Sequence, residues 1–386
     1  MNKNNTKHSY SMFIKVCIAN LLLYTSLYTL LPVLPAIMHS ISNSSSIQHA
    51  ALLLFYFLGG VLLTGPFLSY IQDRFQHKNI AIFSYLGLSV TALLFTGVSH
   101  QWFPLLLVAY GVFSTLSTSI GITIAIDISP SELRNFGNKT ITWTGSIGFL
   151  LGIILCCILF PTQSNFTLIY ASASLPLIGI LFLLTLKLHF RAPMGSGLLH
   201  LDRFLLPRGW PFIINSITLA TVISCTIALF YHLASTTTPP ALYFIFLISG
   251  YLSSAFVVFS FLQRISRRVF IQAFVGILCI GLSYPLFAIP EFPYLPNYLL
   301  GLGIGLIVPE FISLFVKVST HCQRGTANTS QSISWEIGLT LGLIAYYYIQ
   351  ESEMETLQFI LGTGGFSILF FLFISYPYFR RYQIRR

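Results

Sequence analysis

The chain has 386 residues, of which 55% are hydrophobic and 8% charged, and its formal net charge is +10. Soluble domains carry roughly 25% charged residues, so this composition excludes a soluble fold and leaves little length for a separate soluble domain. Apolar runs long enough to cross a bilayer, roughly 20 residues each, recur from Met12 almost to the C-terminus, which places the function inside the membrane.

In chain order, Lys3, Lys7 and Lys15 precede the first apolar run. That run continues through Leu31-Pro32-Val33-Leu34-Pro35 with no small-residue cleavage site, the pattern of an uncleaved first span rather than a signal peptide. Twelve spans are predicted, at 12–35, 47–71, 79–99, 102–126, 138–160, 166–188, 211–233, 240–262, 269–290, 295–317, 327–349 and 357–378. One connection is long: His189 to Trp210 carries Arg191, Pro193, a Gly-Ser-Gly, Arg203 and Arg208. The expected organisation is a six-helix bundle at 1–190, a cytoplasmic linker at 191–210 and a second six-helix bundle at 211–386. Five of the six cysteines lie in apolar spans, none at metal-ligand spacing, and they read as small core residues.

Charge placement tests this layout, because cytoplasmic loops are enriched in Lys and Arg. All 20 Lys and Arg fall at the termini, in loops after even-numbered spans, or at span edges facing them such as Lys15, Lys187 and Lys317. The opposite loops carry only Glu291, Glu351, Glu353, Glu355 and some histidines. Both termini are therefore expected in the cytoplasm of a multi-pass inner (plasma) membrane protein. The positive charge is topology and not a nucleic-acid footprint.

The two halves also match at a constant offset of 190 residues, the kind of internal repeat that defines an architecture. Arg74 and Lys78 match Arg264 and Arg268; Arg134, Asn138, Ile147, Gly148, Leu151 and Gly152 match Arg324, Asn328, Ile337, Gly338, Leu341 and Gly342. Gly60 pairs with Gly250 and Gly111 with Gly301. Two same-orientation six-span halves are a known plan for secondary transporters.

The segment from Ser69 to Lys78, with Asp73-Arg74 and Lys78 in place and Ser69 and Gln76 at the signature's glycine positions, resembles the cytoplasmic signature of the major facilitator superfamily. The stretch Asp127 to Arg134 is similar to the loop after span four in that family. The stretch Arg324 to Gly338 is similar to span eleven of its twelve-span, drug-exporter-like branch. The resemblance implies an all-α polytopic membrane protein with the major facilitator fold, twelve transmembrane helices in two pseudo-symmetric six-helix bundles. It further implies alternating access around a central cavity lined by spans 1, 2, 4, 5, 7, 8, 10 and 11. A gating set of Asp73, Arg74, Lys78, Asp127, Arg134, Arg264, Arg268 and Arg324 is expected, with Arg74 pairing with an acid such as Asp127 in the outward-open state.

Ionisable groups within a bilayer are costly and mark function. Glu310 in span ten and Glu336 in span eleven lie about 10 to 14 Å from the cytoplasmic ends of their helices at 1.5 Å per residue. Thr329, Ser332, Glu336 and Thr340 recur at intervals of three and four, giving span eleven a polar stripe; Gly303, Glu310, Ser313 and Lys317 share a face of span ten in the same way. Pro309 removes a backbone donor beside Glu310. Their repeat partners, Ile120 and Ser146, are not acids, so proton coupling is expected in the second half and more of the substrate binding in the first. Candidate substrate contacts are Asn20, Tyr24, Trp143, Ser332, Trp335 and Thr340, whereas Tyr346, Tyr347 and Tyr348 read as an interfacial belt. Drug-exporter-like relatives often carry an acid in span one, where Asn20 stands, a departure that argues against cationic drugs. The span-five glycines Gly145, Gly148 and Gly152 lack the proline of the exporters' signature.

The reading that follows is proton-coupled efflux (antiport) of a small amphipathic organic molecule, energised by the proton gradient with no bound cofactor and no metal, by a monomer in the lipid bilayer. The alternative is proton symport of a nutrient such as a sugar or organic acid. No convergent nucleophile or metal cluster marks an enzyme, and no Gly-Lys-Ser/Thr phosphate loop marks an ATPase. A receptor's soluble signalling domain has no room.

Overall fold

A computed structural model of the chain describes residues 3–42, 46–129, 134–162, 165–188, 204–236, 241–260, 268–288, 292–320, 323–350 and 353–384. Lipid offers no partner to backbone N–H and C=O groups, so a spanning chain must satisfy them within itself as a helix. The described residues form helices and turns, without strands. The long helices are α1 (Lys3–Leu30), α2 (Leu54–Arg74), α3 (His77–Leu94), α4 (Phe103–Ile128), α5 (Arg134–Thr162) and α6 (Asn165–Leu184). They continue as α7 (Trp210–Thr236), α8 (Ala241–Ser260), α9 (Arg268–Ser283), α10 (Leu295–Val318), α11 (Arg324–Ile349) and α12 (Glu353–Phe370), with a π-helical turn Phe371–Ser375 and a short helix Tyr376–Ile384 after α12. Eight are long and apolar enough to cross a membrane; Leu242–Val258 and Arg268–Ser283 are shorter apolar helices. The remaining two fall short through polar residues, His77-Lys78-Asn79 opening α3 and the Thr, Ser and Glu of α11.

The chain divides into two compact units, Met1–Leu206 with Gln323–Ile333, and Pro207–Cys322 with Ser334–Arg386. The end of the expected linker, Phe204–Leu206, thus belongs with the first unit, as does the start of α11. Residues 189–203 of that linker lie outside the described residues.

Each unit is held by glycine seams, the small-residue packing that lets membrane helices approach closely. In the first unit, a Cβ on Gly60 of α2 would collide with the Val108 carbonyl of α4, and one on Gly111 with the Phe57 carbonyl of α2. In the second, Gly250 of α8 meets the Tyr298 carbonyl of α10, and Gly301 meets Leu247 of α8. These are the same contacts 190 residues on. The α1–α5 and α7–α11 seams repeat as well: Gly148 and Gly152 lie on the Leu21 and Thr25 carbonyls, Gly338 and Gly342 on those of Ile217 and Thr221. There the offset is 196 (Leu21 to Ile217, Thr25 to Thr221), because the first unit inserts a 3-10 turn Leu31–Val33 and short helices Leu34–Ser42 and Ile47–Leu52 before its second long helix.

Polar ties finish the seams. Thr221 donates to the Gly338 carbonyl at 3.1 Å, and Ser26 and Ser172 bond each other's carbonyls between α1 and α6. Buried Asn215 of α7 donates to the Ser367 carbonyl and hydroxyl, both at 3.0 Å, and accepts from Ser375 in the π-turn. A π-turn leaves helical bonds out of register, and here it meets a hydrogen-bonding partner on α7. Tyr346 and Tyr347 are buried and pack edge to face at 5.6 Å, so the expected belt reduces to Tyr348, which is 57% exposed.

Candidate functional site

Glu336 sits in α11 two residues before Gly338, hence on the face turned away from the α7 seam. Thr329, Ser332 and Glu336 keep 7–8% exposure, whereas Ser330 and Ser334 on the packed side have none. The polar stripe read from spacing is therefore a distinct, marginally accessible face of α11. Thr340 is fully buried and donates to the Glu336 carbonyl at 2.8 Å, so its hydroxyl is committed to its own helix. Trp335 is half-buried.

Glu310 lies elsewhere in the packing. Gly303, seven residues earlier and on the same face of α10, packs on Gly276 and Ile280 of α9. Gln272 of α9 donates its Nε2 to the Leu306 carbonyl at 3.0 Å, one helical turn before Glu310. Gln272 and Glu310 are essentially sealed, at 2% and 1% exposure. Gly303 thus belongs to a helix seam, where its spacing with Glu310, Ser313 and Lys317 predicts a polar stripe. Glycine at 303 and 276 reflects backbone proximity, not solvent. Lys317, on the same side near the helix end, is exposed and lies 5.9 Å over the Phe379 ring.

Asn20 is also sealed. Its Nδ2 reaches the Ile141 carbonyl at 3.1 Å and Thr144 Oγ1 at 3.3 Å on α5, and its Oδ1 faces Gly121 of α4 with no partner among the described residues. Its amide ties α1 to α5. Tyr24, half-buried, lies beside Gly145 in the same seam, one helical turn along α1, and Trp143 of α5 is half-buried nearby in sequence.

On the side whose loops carry Lys and Arg, called the basic side below, the signature residues take individual partners. His77 Nδ1 and Asp127 Oδ2 are 2.7 Å apart, joining the start of α3 to the last turn of α4. Asp127 therefore pairs with His77 in this arrangement. Arg74 lies against the Tyr70 ring, 5.5 Å from its centroid, and donates to its hydroxyl. Lys78 donates to the Leu184 and Leu186 carbonyls at 2.7 and 2.9 Å, capping α6, where a cation also complements the helix dipole. Asp73 is half-buried in the last turn of α2, and Arg268 is half-buried at the first residue of α9. Arg264 lies outside the described residues, as do the side chains of Arg134 and Arg324. Among the described residues, no three His, Cys, Asp or Glu side chains gather as a metal site.

The Asp127 hydrogen bond is the main reason the His77 imidazole is held above its ordinary range, against burial that pulls it down; the charges of Asp127 and Asp73 add smaller upward contributions. A raised value means the contact stabilises fully below about pH 6.5, the free imidazole range, and fades as pH rises through the folded value. His77→Ala is therefore expected to lower the detergent melting temperature more at about pH 6 than at about pH 9. An equal loss at both pH values would contradict the pairing. Because Asp127 is 46% exposed, solvent screens the pair and the effect is modest.

The model of the Major Facilitator Superfamily matches residues 16–343, most of the chain. The chain belongs to that superfamily. Its fold is similar to that of the human organic anion transporter MFSD10 (TETRAN), with a TM-score of 0.69 at 16% identity over 94% of this chain and 99% of the other. No curated protein matches it in sequence. Membership of this superfamily makes the chain a secondary transporter that spans the membrane many times.

Within this superfamily chain, reasoning from sequence missed His77, Gln272, Asn215 and Ser330. His77 was in plain view inside the signature, but only the fold brings Asp127, 50 residues away, to its ring. Gln272 had a usable signal, being a buried-depth amide in an apolar helix.

Proposed function

We propose that the protein is a proton-coupled exporter of small amphipathic organic molecules that works by alternating access, exchanging substrate for protons (antiport). The observation that carries this reading is Glu336: an acid in a membrane helix, on a polar face held away from the α7 seam and almost closed to solvent. Intramembrane acids are expensive to keep and mark ion pathways. In this reading Glu336 takes and gives the proton while Glu310, sealed from solvent, is the second acid of the path. The basic side is cytoplasmic, so the signature residues around His77, Lys78 and Asp127 gate the cytoplasmic side of an inner (plasma) membrane protein, with both termini there.

The substrate is an organic anion or neutral amphipath rather than a cation. Two points support this: α1 carries neutral Asn20 where an acid would attract a cation, and the fold is similar to that of a human organic anion transporter. Purified protein in liposomes, preloaded with buffer and given an imposed proton gradient, tests the choice with a fluorescent organic anion and a fluorescent organic cation. Gradient-driven accumulation of the anion, at several times the protein-free rate, is expected. Accumulation of the cation alone would overturn the substrate assignment, and anion movement with rather than against the proton would favour symport.

A further inference from the structure

The last residues before α7 are not free linker. The Phe204 ring lies where a Cβ on Gly65 of α2 would be, in the notch beside Pro66, which itself interrupts the α2 hydrogen-bond ladder. Two residues on, the backbone N–H of fully buried Leu206 donates to Ser330 Oγ of α11 at 2.7 Å. Three residues therefore tie one turn of α2 to one turn of α11 within the first unit. Gly65 lies nine residues from the basic-side end of α2 and Ser330 six from that of α11, depths of about 14 and 9 Å. The segment is an insertion between helices rather than a surface loop.

Unsatisfied polar groups surround this tie. On the Gly65 face of α2, one and two turns on, Ser69 Oγ and Gln72 Nε2 are buried without hydrogen-bond partners among the described residues. On α11, two residues before Ser330, both amide atoms of Asn328 are buried with no partner among the described residues, as is Oδ1 of its repeat counterpart Asn138. Native proteins pair nearly all buried polar atoms. A group of unpaired ones flanking one inserted segment is the mark of an arrangement that is not the only one the helices adopt.

We propose that Phe204–Leu206 is a gating strap. Seated, its ring in the Gly65 notch and its amide on Ser330 hold the basic-side ends of α2 and α11 as found here. Withdrawn, it frees those helices for the other arrangement of the transport cycle, in which Ser69, Gln72 and Asn328 are opened to water on the basic side. The strap presupposes the alternating access proposed above and adds its release as a step, one that needs no particular substrate or proton site.

The test is the rate at which Ser69→Cys reacts with a membrane-impermeant maleimide in inverted vesicles, where the basic side faces the medium. Phe204→Ala removes the ring, and Gly65→Ala evicts it by filling the notch while favouring the helix. Each is expected to speed labelling by about tenfold, as when an arrangement of minor population becomes the major one. The two together are expected to do no more than either alone. Unchanged labelling in both variants, or additive effects, would overturn the strap. A melting curve shows that each variant is folded. Because no substrate is added, labelling that responds as expected in a protein that moves no organic anion would sink the substrate assignment and leave the strap standing.

Discussion

Gly148→Val and Gly338→Val are expected to leave almost no monodisperse protein after extraction into mild detergent, whereas Gly59→Val survives. A Cβ at Gly148 collides with the Leu21 carbonyl and one at Gly338 with the Ile217 carbonyl, and both neighbours are backbone that cannot rotate aside. Valine adds two methyl groups to that collision. Forcing extra carbons into a packed seam costs roughly 1–3 kcal/mol, and here the whole α1–α5 or α7–α11 contact must open. Gly59 has nothing within 4 Å and faces outward, so it reports the cost of valine alone. Size-exclusion profiles of the three variants decide the matter: equal recovery of all three would mean that the seams do not hold the units. Because the two seams are repeats, losses in the two halves should also be alike.

Glu336→Gln is expected to abolish gradient-driven accumulation while leaving substrate exchange across a proton-free membrane largely intact. Glutamine keeps the shape and most of the hydrogen bonding of the acid but cannot carry a proton, so a coupling role and a packing role separate cleanly. If Glu336 only braced α11, both assays would fall together with the melting temperature. If it carries the proton, accumulation falls by at least about tenfold while exchange and folding persist. Glu310→Gln gives the companion result: at 1% exposure, one turn from the Leu306 carbonyl that Gln272 holds, it should cost stability as well as coupling.

The repeat was legible from residues alone because it is written in glycines, and a glycine that meets a backbone carbonyl has no substitute. Gly60, Gly111, Gly250 and Gly301 show this directly. The break in the offset at α1 was not legible, since those contacts run through carbonyls of Leu21, Thr25, Ile217 and Thr221, and one Thr–Thr match and one aliphatic pair are too few to mark a shift from 190 to 196. The stripe on α11 could be read because helical spacing alone decides which residues share a face. Which way a face points could not, and that is where Gly303 misled: a glycine sharing a face with an acid fits a polar stripe and a packing seam equally. The signature's charges were visible, yet their partners are set by tertiary geometry. His77 takes Asp127, and Lys78 caps α6, by contacts spanning 50 to 108 residues. The Phe204 strap was hidden because a single aromatic in a basic linker carries no period at all.

The central claim, that transport is coupled to protons, is tested most directly by a pH-sensitive dye trapped in inverted vesicles holding the protein. Under an imposed gradient, a panel of amphipathic organic compounds is added. The account predicts compound-dependent proton release with the wild type and none with Glu336→Gln. No release with any compound, in protein that demonstrably moves one of them, would contradict it.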